Sequence, residues 1–256
     1  MSELLGDART MHQAIKADVF KYGLTLMRGQ TLTPDDLFEI AASFGAVLKN
    51  RDLTEGRPEI LRISNKTDEA GKALGILGER ELGWHNDYSH KHMDLHGALL
   101  YAVEVDSNTV TSWADMSGVY EALLEVDKQR YESYVGYHAF ELLKERYDHE
   151  AYRVSAAERR LSIMRGPKRR PLVQTHPISG RKALYLSPTF LSHTEPPMVD
   201  GELNTLLGLA ELHMYDHVWA KGDLIVYDNL TTMHRRTALD GQRVLWRAQF
   251  DYAHGA

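Results

Sequence analysis

Two histidines and an aspartate are the residues of this sequence best suited to hold a reactive metal. His85-Asn86-Asp87 sets an imidazole and a carboxylate two residues apart, and on an extended segment residues i and i+2 point the same way, so both can grip one ion. A third ligand has to come from elsewhere. His234 is the best candidate, because it lies just beyond the apolar run Leu224 to Tyr227, a strand able to aim it. Two imidazoles and one carboxylate on one face of a metal leave three coordination positions open, which suits an iron(II) that must bind a bidentate oxo-acid and then O2. The same ligands also suit zinc. His-x-Asp is a short pattern in a chain with 13 histidines, and His85, His90, His92 and His96 crowd one segment. Surface histidines, or hydrogen-bonded core histidines, are the plain alternative.

Two arginines form the second cluster. From Arg243 to Tyr252 the residues alternate, with Val244, Trp246, Ala248, Phe250 and Tyr252 on one face and Arg243, Leu245, Arg247, Gln249 and Asp251 on the other. Arg243 and Arg247 therefore project together, about 13 Å apart at the usual strand rise. An arginine offers a planar fork that matches a carboxylate, where lysine offers only a point charge. The alternative is an amphipathic strand with both arginines in solvent.

The elements around these residues read as a β-rich fold with helices on its flanks. Met11, Ile15, Val19 and Phe20 mark an amphipathic helix over Ala8 to Tyr22, and Leu24 to Met27 a buried strand. Thr33-Pro34-Asp35-Asp36 is a helix start, with Thr33 as N-cap and Pro34 in the first turn, running to about Phe44. Ile60 to Ile63, Ala98 to Val105 and Val110 to Trp113 read as strands, and Ser117 to Val126 as helix. Val173 to His176 and Ala183 to Leu186 flank a hairpin turn, and Gly201 to Met214 is helical. Trp84 and Trp113 read as core aromatics. Such a pattern points to a jelly roll, a double-stranded β-helix wrapped by helices, in one domain spanning residues 1–256.

Composition narrows the function. A net charge of -6 argues against a nucleic-acid surface, which needs excess Lys and Arg, and the basic stretch from Arg159 through Arg170 reads as an exposed connection. With no cysteine, thiolate metal sites, disulfides and cysteine nucleophiles are excluded. No apolar stretch approaches the ~20 residues that span a bilayer and no secretory signal is legible, so the expected location is the cytoplasm, without a membrane partner.

Read together, the flanking residues resemble the taurine dioxygenase and 2,4-dichlorophenoxyacetate dioxygenase family, TauD/TfdA, over most of the chain. Gly23 to Gln30, Leu32-Thr33-Pro34 and Phe44-Gly45 resemble its opening strand, turn and helix, and Trp84-His85-Asn86-Asp87 its metal motif. Thr111 to Met116 running into Tyr120 to Leu123, His176-Pro177 to Gly180 with Ala183-Leu184-Tyr185, and Gly222-Asp223-Leu224 with Asp228-Asn229 before His234 follow in family order.

The resemblance implies an Fe(II)- and 2-oxoglutarate-dependent dioxygenase that uses O2, releases succinate and CO2, and hydroxylates, desaturates or oxidatively decarboxylates a small substrate. It implies His85, Asp87 and His234 as iron ligands, Thr111 and Arg243 on the far carboxylate of 2-oxoglutarate, and Arg247 toward the substrate. The interval from His234 to Arg243 is shorter than in the sulfonate-oxidising members, which leaves the two arginines exchangeable in role. Between Asp52 and Arg80, where the family places a substrate loop, no match is found. Two arginines facing one distal carboxylate point to an anionic substrate, unless Arg247 pairs with Asp251. A zinc hydrolase on a similar barrel and a non-catalytic metal-binding sensor are the rivals.

Overall fold

The capping signal at Thr33 is realised with both of its hydrogen bonds. In the computed structural model, which describes residues 2–51, 53–106, 108–140 and 156–252, the Asp36 N–H donates to Thr33 Oγ1 at 3.2 Å and the Thr33 N–H to Asp36 Oδ2 at 2.8 Å. A reciprocal pair of this kind satisfies two amides left over at a helix start.

The chain runs α1 (Ser2–Tyr22), β1 (Leu24–Met27), α2 (Pro34–Ala42), β2 (Gly45–Val47), β3 (Thr54–Glu55), β4 (Arg57–Ser64), β5 (Leu82–His85), β6 (Gly97–Asp106) and β7 (Val110–Asp115). It continues with α3 (Met116–Ala122), α4 (Glu125–Glu132), β8 (Val135–His138), α5 (Ala156–Arg165), β9 (Lys168–Pro171), β10 (Val173–Thr175), β11 (Lys182–Leu184) and β12 (Leu191–Glu195). Last come α6 (Glu202–Leu212), β13 (Met214–Val218), β14 (Leu224–Asp228), β15 (Thr232–Arg236) and β16 (Gln242–Tyr252).

Two sheets carry the site. The larger has the order β1-β14-β6-β16-β4-β3, with β2 also paired to β16, and the smaller the order β13-β7-β15-β5. Alternation along each strand sorts the side chains into layers. Leu99, Tyr101, Leu224, Val226, Phe250 and Tyr252 face outward under Ile15 and Val19 of α1 and Leu37 and Ile40 of α2. Ala98, Leu100, Ile225, Tyr227 and Leu245 face inward, against Trp113 of the smaller sheet. On the far side of the smaller sheet, Trp84, Ala114 and Met233 pack with Val119 of α3 and Leu206 of α6. The result is the expected jelly roll, with helices covering both outer faces. Among the described residues no helix is long and apolar enough to cross a membrane.

Three readings need correction. The single helix expected over Ser117 to Val126 is two, because Leu123 and Leu124 both take extended backbone, with ψ of 150°. The first helix begins at Ser2 rather than Ala8. The basic stretch is not merely an exposed connection. Arg170 on β9 is buried, donating to the carbonyls of Ser89 at 2.9 Å and Met93 at 3.1 Å and pairing with Asp94 at 2.9 Å. It therefore clamps the loop that follows Asp87, a role that charge counting cannot reveal.

Candidate metal centre

Strand alternation aims the histidines. In β5 Trp84 turns outward into the core and His85 inward, and in β15 Met233 turns outward and His234 inward. β5 and β15 pair directly, with His85 opposite His234. Trp113, also opposite His234 in the neighbouring ladder, stacks on its ring at 6.4 Å between centroids.

Asp87 reaches the site differently from the expectation. β5 ends at His85, so the carboxylate is not set by extended alternation but by asparagines. Asn229 Oδ1 accepts from the Asp87 N–H at 2.8 Å, and its Nδ2 donates to the Asp87 carbonyl at 2.9 Å. Asn86 Nδ2 donates to the carbonyls of Asn229 at 2.9 Å and Thr232 at 2.8 Å. These buried amides bind the loop after β5 to the turn before β15. The pattern Asp228-Asn229 carried this signal, and its physical meaning is the bracing of Asp87.

The three ligand atoms lie within 4.8 Å of one another, and all three residues are buried. His85 Nε2 and His234 Nε2 stand 3.8 and 3.9 Å from Asp87 Oδ1. The Nδ1 of His85 faces the Gly83 carbonyl at 2.7 Å, so this nitrogen carries the proton and Nε2 is left with its lone pair for a metal. The other oxygen of Asp87 is taken up by the protein: Gln249 Nε2 donates at 3.0 Å, Tyr227 OH at 3.2 Å, and Arg247 Nη1 lies 3.5 Å away. One carboxylate oxygen is thus left for the ion.

Electrostatics prepare the same state. Burial, reinforced by His85, lowers His234 to about 3, and burial also lowers His85. Burial opposes the charge on Asp87, but Arg247, the two histidines and the Gln249 hydrogen bond together outweigh it and hold the carboxyl at about 2. At neutral pH the site therefore offers two neutral imidazoles and one carboxylate, the protonation state that metal ligation requires. This donor set fits iron(II), with the facial arrangement that leaves positions open.

The surrounding cavity is lined by Ile63, Leu77, Leu82, Leu100, Tyr227 and Leu245 as well as by Arg236, Arg243 and Arg247. Both expected arginines face inward from β16, so neither is a solvent-facing residue. Arg243 is 2% exposed, its Nη1 has no hydrogen-bond partner, and among the described residues no carboxylate pairs with it. Burial, together with Arg236, lowers it to about 9. Thr111 is buried on β7 but is not part of the cavity wall, and its Oγ1 accepts from Trp219 Nε1 at 2.8 Å. Arg247 does not lack a protein counter-ion, as had been expected, for it lies beside Asp87. The other candidate, Asp251, is engaged with His96. Spacing missed Arg236, Tyr227 and Gln249, each of which lies on an inward-facing strand position. His90, His92 and His96 do not join the triad.

The sequence profile described as the taurine catabolism dioxygenase TauD, TfdA family matches residues 4–249. The chain belongs to this family. It is 28% identical to the (S)-phenoxypropionate/alpha-ketoglutarate-dioxygenase of Sphingobium herbicidovorans, over 92% of this chain and 84% of that one. It is 31% identical to the pentalenolactone F synthase of Streptomyces avermitilis, over 80% and 73%. The crystal structure of AAD-2 in complex with Mn(II) and N-oxalylglycine superposes with a TM-score of 0.71, covering 95% of this chain and 88% of that one at 25% identity. TauD/TfdA enzymes are α-ketoglutarate-dependent dioxygenases, oxidoreductases that use Fe(II), 2-oxoglutarate and O2 on small organic substrates. Membership decides for this chemistry over the zinc-hydrolase and sensor readings, and the His85–Asp87–His234 triad supplies its metal ligands.

Proposed function

We propose that this dioxygenase oxidises a small organic anion, by hydroxylation in the simplest case, in one catalytic domain. Arg243 holds the far carboxylate of 2-oxoglutarate, Thr111 joins it on the strength of the family resemblance from a position behind the cavity wall, and Arg247 faces the substrate. The observation that carries the reading is Arg243: it lines the cavity, it is buried, and among the described residues no carboxylate pairs with it, while Arg247 shares Asp87. A buried guanidinium without an anion is costly, by several kcal/mol in order of magnitude. The absence of a carboxylate beside Arg243 among the described residues makes it the natural partner of the cosubstrate. Arg247 shares Asp87, but a divalent ion would draw on that same carboxylate and leave the arginine's charge for an incoming anion. Thr111 Oγ1 already accepts from Trp219, so its own hydroxyl proton is available to donate.

Iron(II), held by the triad, supplies the chemistry that couples O2 and 2-oxoglutarate to oxidation of a C–H bond with release of succinate and CO2. The chain's own residues orient the participants. His85 and His234 present neutral nitrogens, Gln249 and Tyr227 keep one oxygen of Asp87 occupied, and the apolar wall excludes water from the reacting face. Hydroxylation beside a heteroatom would collapse into bond cleavage, and desaturation and oxidative decarboxylation use the same site. Its acidic net charge argues against a nucleic-acid partner.

Anaerobic titration of iron(II) and 2-oxoglutarate tests the reading. A weak visible metal-to-ligand absorption is expected in the wild type, with saturation shifted to higher 2-oxoglutarate in R243A. No band in the wild type would overturn it.

A further inference from the structure

Between β4 and β5 the chain makes an excursion and returns against β4. Ile76 bridges Ile63 in parallel, its N–H donating to the Arg62 carbonyl at 3.1 Å and its carbonyl accepting from Ser64 at 3.2 Å. The approach is close enough that a Cβ at Gly75 would lie 2.5 Å from the Ser64 nitrogen. The next residues, 77–81, lead straight into β5 and the metal ligands. Leu77 there has φ of 67°, in the left-handed region that a branched side chain adopts only under constraint.

The constraint is Arg236. Its side chain is buried, two residues beyond His234 and on the same face. Its Nη2 donates to the carbonyls of Leu77 at 2.9 Å, Gly78 at 3.3 Å and Arg80. The Leu239 N–H adds a bond to the Glu79 carbonyl at 2.7 Å. One guanidinium on a metal-bearing strand thus ties down the turn that carries Leu77.

Leu77 also differs from the rest of the apolar wall. Ile63, Leu82, Leu100, Tyr227 and Leu245 are buried in the sandwich, whereas Leu77 is half-buried, lining the cavity while part of it still meets solvent. A side chain in that position stands at the mouth, where a substrate passes and then rests.

We propose that Leu77 is a specificity-determining residue at the mouth of the metal cavity and that Arg236 is the positioning residue that holds it there. The assignment rests on the dioxygenase reading of the site and concerns the substrate's body rather than its charge. Arg236 binds the turn through backbone carbonyls, so it fixes the position of Leu77 whatever side chains the neighbouring residues carry.

The test follows amide hydrogen exchange over residues 76–81 in wild type, R236M and R236K, beside succinate release from carboxylates graded from 2-methylpropionate through 2-phenoxypropionate to its naphthyl analogue. R236M is expected to speed exchange by about tenfold or more, and R236K, whose single nitrogen keeps three N–H donors, to restore part of the protection. If R236M does not fold, R236Q is read in the same way. L77A is expected to raise kcat/KM for the naphthyl acid relative to the smallest acid by about tenfold, with the KM for 2-oxoglutarate held within about twofold. Unchanged exchange in R236M overturns the positioning role. A uniform change across the panel in L77A, or a wild type that forms the visible band yet accepts none of the acids, overturns the specificity role. Absence of the band in the wild type strikes instead at the dioxygenase reading, and the exchange data still decide the Arg236 clamp.

Discussion

His85 and His234 face each other across the ladder between β5 and β15, ring centroids 4.2 Å apart, with both Nε2 atoms within 3.9 Å of one oxygen of Asp87. Only three protein bonds are available to the iron, so H85A, D87A and H234A are each expected to abolish turnover in a folded protein. D87A also strands Arg247 without its carboxylate and is expected to cost ~3 kcal/mol of stability. Anaerobic iron titration and urea unfolding measure the two effects. Full iron occupancy with near-normal turnover in any one variant removes that residue from the triad.

The arginines of β16 separate by what they touch. Among the described residues no carboxylate pairs with Arg243, so R243A is expected to raise the KM for 2-oxoglutarate by roughly 10- to 100-fold, the loss of a charge-assisted pair. Arg247 sits beside Asp87, so R247A is expected to weaken substrate binding and iron binding together. If 2-oxoglutarate dependence worsens only in R247A, the two roles are reversed.

Acid should destabilise the metal-free protein well before its carboxylates titrate. Burial lowers His234 and His90 to about 3 and His138 to about 4, while in the unfolded chain each titrates near 6.5. Below pH 6.5 the unfolded state therefore binds more protons than the native state, and stability falls as pH falls toward about 4. Each histidine contributes at most ~1.4 kcal/mol per pH unit. Asp87, held at about 2, adds its loss only below the ordinary carboxylate range. Urea midpoints at pH 7 and pH 5 check this, and equal midpoints would show that these rings are not held neutral.

Neutral analogues examine the substrate's charge. Methyl esters or amides of an accepted acid should lose at least about tenfold in kcat/KM, because Arg247 faces the cavity and shares its carboxylate, Asp87, with the metal site. Unchanged kcat/KM for such analogues would make Arg247 a structural partner of Asp87 alone.

Much of this was legible in one dimension. The strand alternation from Arg243 to Tyr252 is a local property, and it determined that Arg243 and Arg247 share a face. The Thr33 cap and the hairpin between β10 and β11 are equally local, since each depends on residues a few positions apart. Residue type and spacing made His85, Asp87 and His234 candidates, and the resemblance of the flanking motifs to the TauD/TfdA family singled them out.

What alternation leaves undecided is which face is buried, because period two distinguishes two faces without saying what covers either. Here the second sheet covers the arginine face and α1 and α2 cover the other, so both sides of β16 are inside from Arg247 to Phe250. The partners of Arg247, Asp87 and Arg236 are separated from them by long stretches of chain: Arg247 meets Asp87, Asn229 braces Asp87, and Arg236 binds the turn at Leu77. Such contacts are absent from spacing and arise only when the sheets close on each other. Sequence by itself determined the candidate ligands and the strands that carry them, with iron chosen over zinc only through the likeness of the flanking motifs to the family. Tertiary structure alone decided which charges meet, because pairing across the sandwich depends on ladder register rather than on distance along the chain.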